Sequence, residues 1–232
     1  DKIFKKIAGN FSGIKKGNAG PFKKVKIQQK NPQVRIVKKD LDQTHFAMAV
    51  RSHDMFDEKR YALNLLSVIM GGNSSSRLFV EIREKLGLAY YVYSWSDHYF
   101  DSGYLGMAAG IPHEKLPEVV RIIAAICGNF KEKAIKKSDL NFAKGFLRGQ
   151  TALKFESSDE IANFVAGQEM FYNKIMQPGD ILKKIERLKQ GDILRIAREI
   201  FRPERINVAV IGRQKNDKKT EEFYKNIFRE RG

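Results

Sequence analysis

Residues 70–94 have the sequence MGGNSSSRLFVEIREKLGLAYYVYS, and this stretch decides the predicted fold. Gly71 and Gly72 follow a wide apolar helical stripe, and such a glycine pair is typical of a helix end. The three serines after them can cap a second short helix, which we expect to end at Gly87. A strand is predicted next, over residues 88–96. The stretch therefore predicts a helix, a loop, a short helix and a strand in immediate succession.

The sequence on both sides of this stretch supplies four more strands and a block of helices. Alternating apolar residues predict strands around residues 34–36, 44–50, 104–111 and 205–211. Residues 116–201 show helical periodicity, and a last helix is predicted over residues 221–231. Strands first, then helices, then one returning strand indicate an α+β domain in which helices pack on one face of a mostly antiparallel sheet.

The charge of the chain is strongly basic. Its 232 residues include 43 Lys and Arg against 27 Asp and Glu, which gives a net charge of +16. A basic chain can bind nucleic acid through the phosphates. The lysine pairs, however, are spread from residues 5–6 to residues 218–219, and no zinc-finger spacing or RNP motif accompanies them. We therefore interpret the charge as a lysine-rich surface that keeps the protein soluble, and nucleic acid is not a predicted partner.

Neither a membrane span nor a secretion signal is visible in the sequence. The longest apolar run, around Val119–Cys127, is interrupted by Arg121 and is shorter than the roughly 18 residues needed to cross a bilayer. The first residues contain no apolar signal-peptide core. We expect a soluble chain, which in a bacterium would be cytoplasmic.

The histidines and the single cysteine do not predict a metal site. A zinc-binding helix needs two histidines about one turn apart with a carboxylate beside them. His45, His53, His98 and His113 lack this spacing, and no H-x-x-E-H motif occurs. Cys127 lies in the apolar stripe of a predicted helix, which favours a core position over a nucleophilic one. We therefore expect no metal or other cofactor in this chain.

Residues 70–94 closely resemble the signature of the insulinase/pitrilysin metallopeptidases, the inverzincin family that includes mitochondrial processing peptidase. Asp42-Gln43-Thr44-His45 resembles the start of that family's second half-domain, and residues 206–212 resemble its last strand. The resemblance implies the family's αβ roll, with a mostly antiparallel six-stranded sheet backed by helices. It also implies that residues 1–32 are the tail of a preceding half-domain and a linker, and that residues 33–232 are the C-terminal, non-zinc half-domain.

In this family two homologous halves enclose a peptide chamber, and the first half carries the H-x-x-E-H zinc helix. Because this chain lacks that motif, it resembles the second half, and we expect the chain alone to be inactive. The implied partners are a zinc-bearing half and a peptide or unfolded-protein substrate, with zinc held in the partner half. That half is either upstream in the same chain or a separate subunit, and the resemblance of residues 1–20 to the end of a preceding half favours the same chain.

The resemblance also implies an assisting catalytic pair. In active members an Arg and a Tyr, seven residues apart, reach the zinc site, and the matching residues here are Arg83 and Tyr90. A phenol or guanidinium beside the oxyanion formed at a peptide carbonyl would stabilise the transition state, and a guanidinium can also clamp a carbonyl or carboxylate. The alternative is that Arg83 forms an ordinary surface ion pair and Tyr90 packs in the sheet. Structural roles are expected for Arg77, Tyr91 and Tyr93.

A glycine-rich loop is the second implied site. Gly71, Gly72, Asn73 and Ser74 correspond to the loop that faces the chamber in processing-peptidase-like members, where a backbone with few side chains can approach an extended peptide. A simple connection between two helices accounts for the same residues. A second function also stays open, that of a purely structural pairing subunit, like the core subunits of respiratory complex III. Such a subunit has no need of both Arg83 and Tyr90.

Overall fold

The residues that the structure describes form one mixed sheet of five strands. The computed structural model describes residues 2–15, 17–18, 20, 22–172 and 175–230. The strands in this part of the chain are β1 (Gln33–Lys38), β2 (Thr44–Ser52), β3 (Tyr91–His98), β4 (Gly103–Ile111) and β5 (Ile206–Gly212), and their order across the sheet is β1-β5-β2-β4-β3. Neighbouring strands are antiparallel except for β1 and β5, which pair in parallel.

Helices supply the second layer. The described residues form α1 (Lys2–Phe11), α2 (Arg60–Gly71), α3 (Leu116–Glu132), α4 (Lys137–Lys154), α5 (Ser158–Phe171), α6 (Pro178–Glu186), α7 (Gln190–Ile200) and α8 (Lys218–Glu230), with a π-helix over Phe79–Glu84. The fold is therefore the predicted α+β class. The last predicted helix is present as α8, and Arg231, its predicted last residue, lies outside the described residues.

The core lies between the helices and one face of the sheet. β2 shows the reason, because its alternating residues Phe46, Met48 and Val50 are buried while the residues between them face the other side. α2 packs against β3, and eleven of its twelve residues are buried, so this helix is the centre of the helical layer. Cys127 is buried in α3 as predicted.

The strand count differs from the one that the family resemblance implied. The described residues form five strands, as the alternation of apolar residues predicted, and not six. Residues 22–30 form no helix or strand. One of their backbone groups, the N–H of Val25, donates to the Asp101 carboxylate at 2.7 Å. β3 begins at Tyr91 and not at residue 88, because the Leu88 N–H donates back to the Ile82 carbonyl of the π-helix and pairing with β4 starts at Tyr91.

The first helix projects from the domain. α1 is amphipathic, and none of its residues is buried. Its apolar side chains Ile3, Phe4, Ile7 and Phe11 are all more than half exposed. Within the described ranges, no helix has the length and apolar character required to cross a membrane.

Candidate functional site

The end of α2 and the chain after it position the predicted site. Gly71 is buried where α2 meets β3, and the Ser94 hydroxyl of β3 donates to the Ser67 carbonyl of α2 at 2.7 Å. Gly72 lies equally close to its own helix, since a Cβ atom there would be 2.7 Å from the Val68 Cα. Both glycines are therefore required by close packing at the helix end.

The loop after α2 is held by one amide side chain. Asn73 Nδ2 donates to the Val68 carbonyl at 3.3 Å, and Asn73 Oδ1 accepts the Ser75 N–H at 2.9 Å. Ser74 is exposed, whereas Ser76 is buried with no partner for its hydroxyl among the described residues. The loop forms one wall of a cavity of about 390 Å³ against α4. Of the four predicted substrate-binding residues, Ser74 presents its side chain most openly to solvent.

Arg83 lies in the π-helix with its side chain exposed. Its guanidinium carbon is 5.1 Å from the centroid of the Phe79 ring, a cation–π contact. Its side chain makes no hydrogen bond or ion pair with the part of the chain that the structure describes. The nearby carboxylate of Glu81 is paired with Lys85 at 2.8 Å. The guanidinium N–H groups of Arg83 are consequently available to another molecule.

A reversal at Gly87 connects Arg83 to the start of β3. Gly87 has a φ of +60° and donates its N–H to the Arg83 carbonyl at 3.2 Å, which ends the π-helix as the sequence predicted. The Leu88 N–H then donates to the Ile82 carbonyl at 2.9 Å. Within the described residues, the Arg83 and Tyr90 side chains form no hydrogen bond with each other, so neither side chain holds the other in place.

Tyr90 combines a fixed backbone with a free side chain. Its N–H donates to the Gly110 carbonyl of β4 at 2.8 Å, while its side chain is 83% exposed. Within the ranges that the structure describes, no partner binds the Tyr90 phenol. The ring therefore does not pack in the sheet, and its hydroxyl faces solvent.

The residues expected to be structural have structural contacts. Arg77 pairs with Asp139 of α4. Tyr91 Oη is 2.9 Å from His45 Nδ1, and burial, followed by the neighbouring Tyr93, raises the pKa of the Tyr91 phenol. The Tyr93 ring is 5.8 Å from the Tyr91 ring.

The sequence analysis missed Trp95, whose ring centroid lies 5.3 Å from that of Tyr93 and extends the same series of rings. Aromatic residues at every second position, 91, 93 and 95, were the available signal.

The histidines are dispersed. His113 contacts Thr44 Oγ1 at 2.7 Å, and His98 Nε2 lies 3.0 Å from Asn64 Oδ1. His53 Nδ1 lies 2.8 Å from an Asp57 carboxylate oxygen. Among the described residues, no group of three or more His, Cys, Asp or Glu side chains could hold a metal ion. The side chains of this part of the chain therefore do not fit a zinc ion.

Comparisons with known proteins identify the family of the chain. A family model described as "Peptidase M16 inactive domain" matches residues 1–147. An uncharacterized zinc protease of Mycobacterium tuberculosis H37Rv is 34% identical over 182 residues, which cover 78% of this chain and 41% of that protein. An uncharacterized zinc protease of Rickettsia felis is 31% identical over 206 residues, which cover 87% of this chain and 48% of that protein. The chain thus spans less than half the length of these curated relatives.

A solved structure has the same fold. The crystal structure of a protease from Helicobacter pylori superposes with a TM-score of 0.82 at 22% sequence identity, covering 91% of this chain and 52% of that one. At this level of identity the likeness concerns the fold alone.

Proposed function

The chain belongs to the family of peptidase M16 inactive domains, and on that premise we propose that it is the half of a zinc metalloendopeptidase that closes the peptide chamber and donates hydrogen bonds to the substrate. The zinc ion would belong to a homologous half, in the same chain or in a separate subunit. The observation that carries this proposal is the pair of exposed donors, Arg83 and Tyr90, which no described carboxylate or carbonyl occupies.

Arg83 is suited to hold a substrate oxygen. Its cation–π contact with the Phe79 ring restrains the side chain, and its N–H groups have no hydrogen-bond acceptor among the described residues. A guanidinium presents several donors in one plane and binds a carbonyl or a carboxylate through two of them. Arg83 would therefore orient the peptide in both the ground state and the transition state.

Tyr90 is suited to a carbonyl oxygen that gains charge. Its backbone is anchored to Gly110, so the exposed phenol extends from a fixed point of the sheet. A hydrogen bond from a phenol strengthens as the acceptor becomes an oxyanion, and a fixed donor needs no reorganisation during the reaction. The ion in the partner half would supply the activated water.

The loop and the N-terminal segment complete the proposal. Of the four predicted loop residues, Gly72, Asn73 and Ser74 would face the substrate, with Ser74 and the backbone on either side of it making the contact, whereas the buried Gly71 would fix the position of the loop. Residues 1–32 would be the tail and linker of a preceding half-domain, and residues 33–232 the half-domain itself. The exposed apolar face of α1 supports this division, because it needs another surface to cover it.

The test is Tyr90→Phe in the complete enzyme with both halves present. The substitution removes one phenolic donor and keeps the ring, so kcat should fall by on the order of 10²-fold, the scale of losing one oxyanion donor. Tyr99→Phe is the matched control, because Tyr99 is also exposed but lies at the far end of β3, and its kcat should not change. A normal kcat for Tyr90→Phe would contradict the donor role, whereas no peptide hydrolysis by the wild-type assembly of both halves would favour a purely structural pairing subunit.

A further inference from the structure

The sheet face opposite the helices carries a row of small side chains between two larger ones. Arg35, Ala209, Ala47, Ala108 and Tyr93 are successive cross-strand neighbours from β1 to β3. An exposed face of a sheet normally carries polar side chains. Here the three central strands carry alanine, and with strands about 4.8 Å apart the backbones of the two outer residues are about 19 Å apart. The face is therefore a shallow trough with an alanine floor.

Aromatic rings form one wall of the trough. A Cβ atom at Gly106 would lie 2.5 Å from the Trp95 ring, and a Cβ atom at Gly110 would lie 2.5 Å from the Tyr91 ring. The rings of β3 therefore lie back over the glycines of β4, with Tyr93 between them. Glycine in a strand allows such a close approach, and the result is a continuous apolar surface along one side of the floor.

A cation forms the other wall. The Arg35 side chain is exposed and makes no hydrogen bond or ion pair with any residue in the described ranges. A cavity of about 650 Å³ extends from it over Ala47 and Ala209 to Trp95.

Three further charged groups lie at or near this cavity. Lys225 and Glu221 of α8 also line it, and Lys225 is already paired with the Glu222 carboxylate at 3.7 Å, so Arg35 is the lining cation without an ion pair among the described residues. The carboxylate beside Trp95, that of Asp97, already accepts hydrogen bonds from Trp95 Nε1 at 3.0 Å and from Tyr104 Oη at 2.6 Å. The trough is thus apolar on one side and cationic on the other.

We propose that this trough binds an extended peptide segment that carries an aromatic or other apolar side chain close to a carboxylate. The apolar side chain would lie on the Trp95 and Tyr93 rings, and the carboxylate would pair with Arg35. The alanine floor lets the peptide backbone approach the sheet, and the net charge of +16 attracts an acidic ligand over longer range. The inference rests on the proposed function only in taking a peptide as the ligand.

The fluorescence of Trp95 provides a direct test, because it is the only tryptophan in the chain. The probe is acetyl-Ser-Glu-Phe-Ala-Glu-Ser-amide, which contains no fluorophore that competes with tryptophan. We expect a saturable change in Trp95 emission with this peptide. We expect no saturable change when lysine replaces both glutamates, and a much weaker one when serine replaces the phenylalanine. Equal binding of the acidic and basic peptides, or no saturable change with the acidic one, would overturn the proposal.

Variants of the two walls and the floor sharpen the test. Arg35→Gln should weaken binding of the acidic peptide by about fivefold, the upper range for one accessible ion pair. Ala209→Phe should abolish binding, because the ring would fill the trough from an exposed position. Arg148→Gln makes the same charge change in α4 of the helical layer and should leave binding unchanged. Wild-type affinity in Arg35→Gln would contradict the assigned role of Arg35.

Two further measurements distinguish peptide binding in the trough from self-association of the chain and from the role of Tyr90. Sedimentation velocity without peptide should show the same mass for the wild type and for Ala209→Phe. A dimer that is lost in this variant would show that a second copy of the chain occupies the trough, and would overturn the peptide assignment. Because Tyr90 does not line the cavity, Tyr90→Phe should leave the emission titration unchanged. If Tyr90→Phe loses turnover but the acidic peptide does not change the Trp95 emission, the proposed peptide site in the trough is wrong and the donor role of Tyr90 is not affected.

Discussion

A Cβ atom placed on Gly71 would lie 2.6 Å from the backbone nitrogen of Ser94 and 2.8 Å from its hydroxyl oxygen. The last turn of α2 therefore touches the backbone of β3 directly, where a side chain of any kind would keep the two elements apart. This contact fixes the start of the loop that leads to the π-helix and Arg83. Gly71 is therefore needed for the packing of α2 against β3 as well as for the end of the helix.

Gly71→Ala should destabilise the protein by about 1–3 kcal/mol, the usual cost of forcing an extra methyl group into a packed core. The helix must move away from β3, because the nearest atoms belong to backbone. Gly145→Ala is the matched control in the exposed middle of α4, with nothing within 4 Å of its Cβ position, and should stabilise by about 0.5–1 kcal/mol. Urea denaturation measures both free energies of unfolding. Equal stabilities for the two variants would contradict the close contact.

Arg83→Ala should impair peptide hydrolysis and leave the stability of the fold nearly unchanged. Because the Arg83 side chain is exposed and forms no hydrogen bond or ion pair with the described residues, the free energy of unfolding should change by less than about 0.5 kcal/mol. In the complete enzyme the same variant should raise KM, lower kcat, or do both, because a guanidinium clamp acts on the ground state and the transition state. Thermal melting and peptide hydrolysis test the two halves of this prediction. A lowered melting temperature with normal hydrolysis would instead assign Arg83 a structural role.

Cys127 should be unreactive in the folded protein. Burial raises the pKa of its thiol to about 12, only partly offset by Lys131, so almost no thiolate exists at pH 8 and reagents cannot reach the sulfur. We expect no reaction with a disulfide reagent such as DTNB under native conditions, and one thiol per chain after unfolding in guanidinium. Rapid labelling of the folded chain would show that α3 opens or that the thiol is exposed.

His98 should make the stability depend on pH. Burial lowers the pKa of His98 below its ordinary value of 6.5, although its hydrogen bond with the His53 carbonyl acts in the opposite direction. The unfolded chain then binds more protons than the folded chain near and below pH 6.5, so the free energy of unfolding falls as the pH drops through this range.

This pH dependence is measured by urea denaturation at pH 5.5 and pH 7.5. The loss of stability between the two values should be smaller in His98→Gln than in the wild type, because glutamine does not titrate. The same loss in both proteins would show that other groups cause the pH dependence.

Much of the local structure follows from the sequence alone. The end of α2 at Gly71, the helix end at Gly87, the strands β3 and β4, and the core position of Cys127 were all predicted correctly. Each depends on residues that are close together in the chain, through helical or alternating periodicity and the backbone freedom of glycine. The membership of the M16 family also follows from sequence, since residues 70–94 carry its pattern and the family model matches the first 147 residues.

The arrangement of distant strands was decided only by the tertiary structure. The alternating pattern of β1 and β5 indicates two strands, but nothing in it specifies that they are neighbours in the sheet or that they pair in parallel. The trough depends on the same strand pairing, because its row of residues crosses all the strands from β1 to β3. The row is Arg35, Ala209, Ala47, Ala108 and Tyr93. A shift of one residue in any of these registers would turn an alanine of the floor toward the helices. Local periodicity fixes which residues share a strand face, whereas the packing of the core fixes which faces meet.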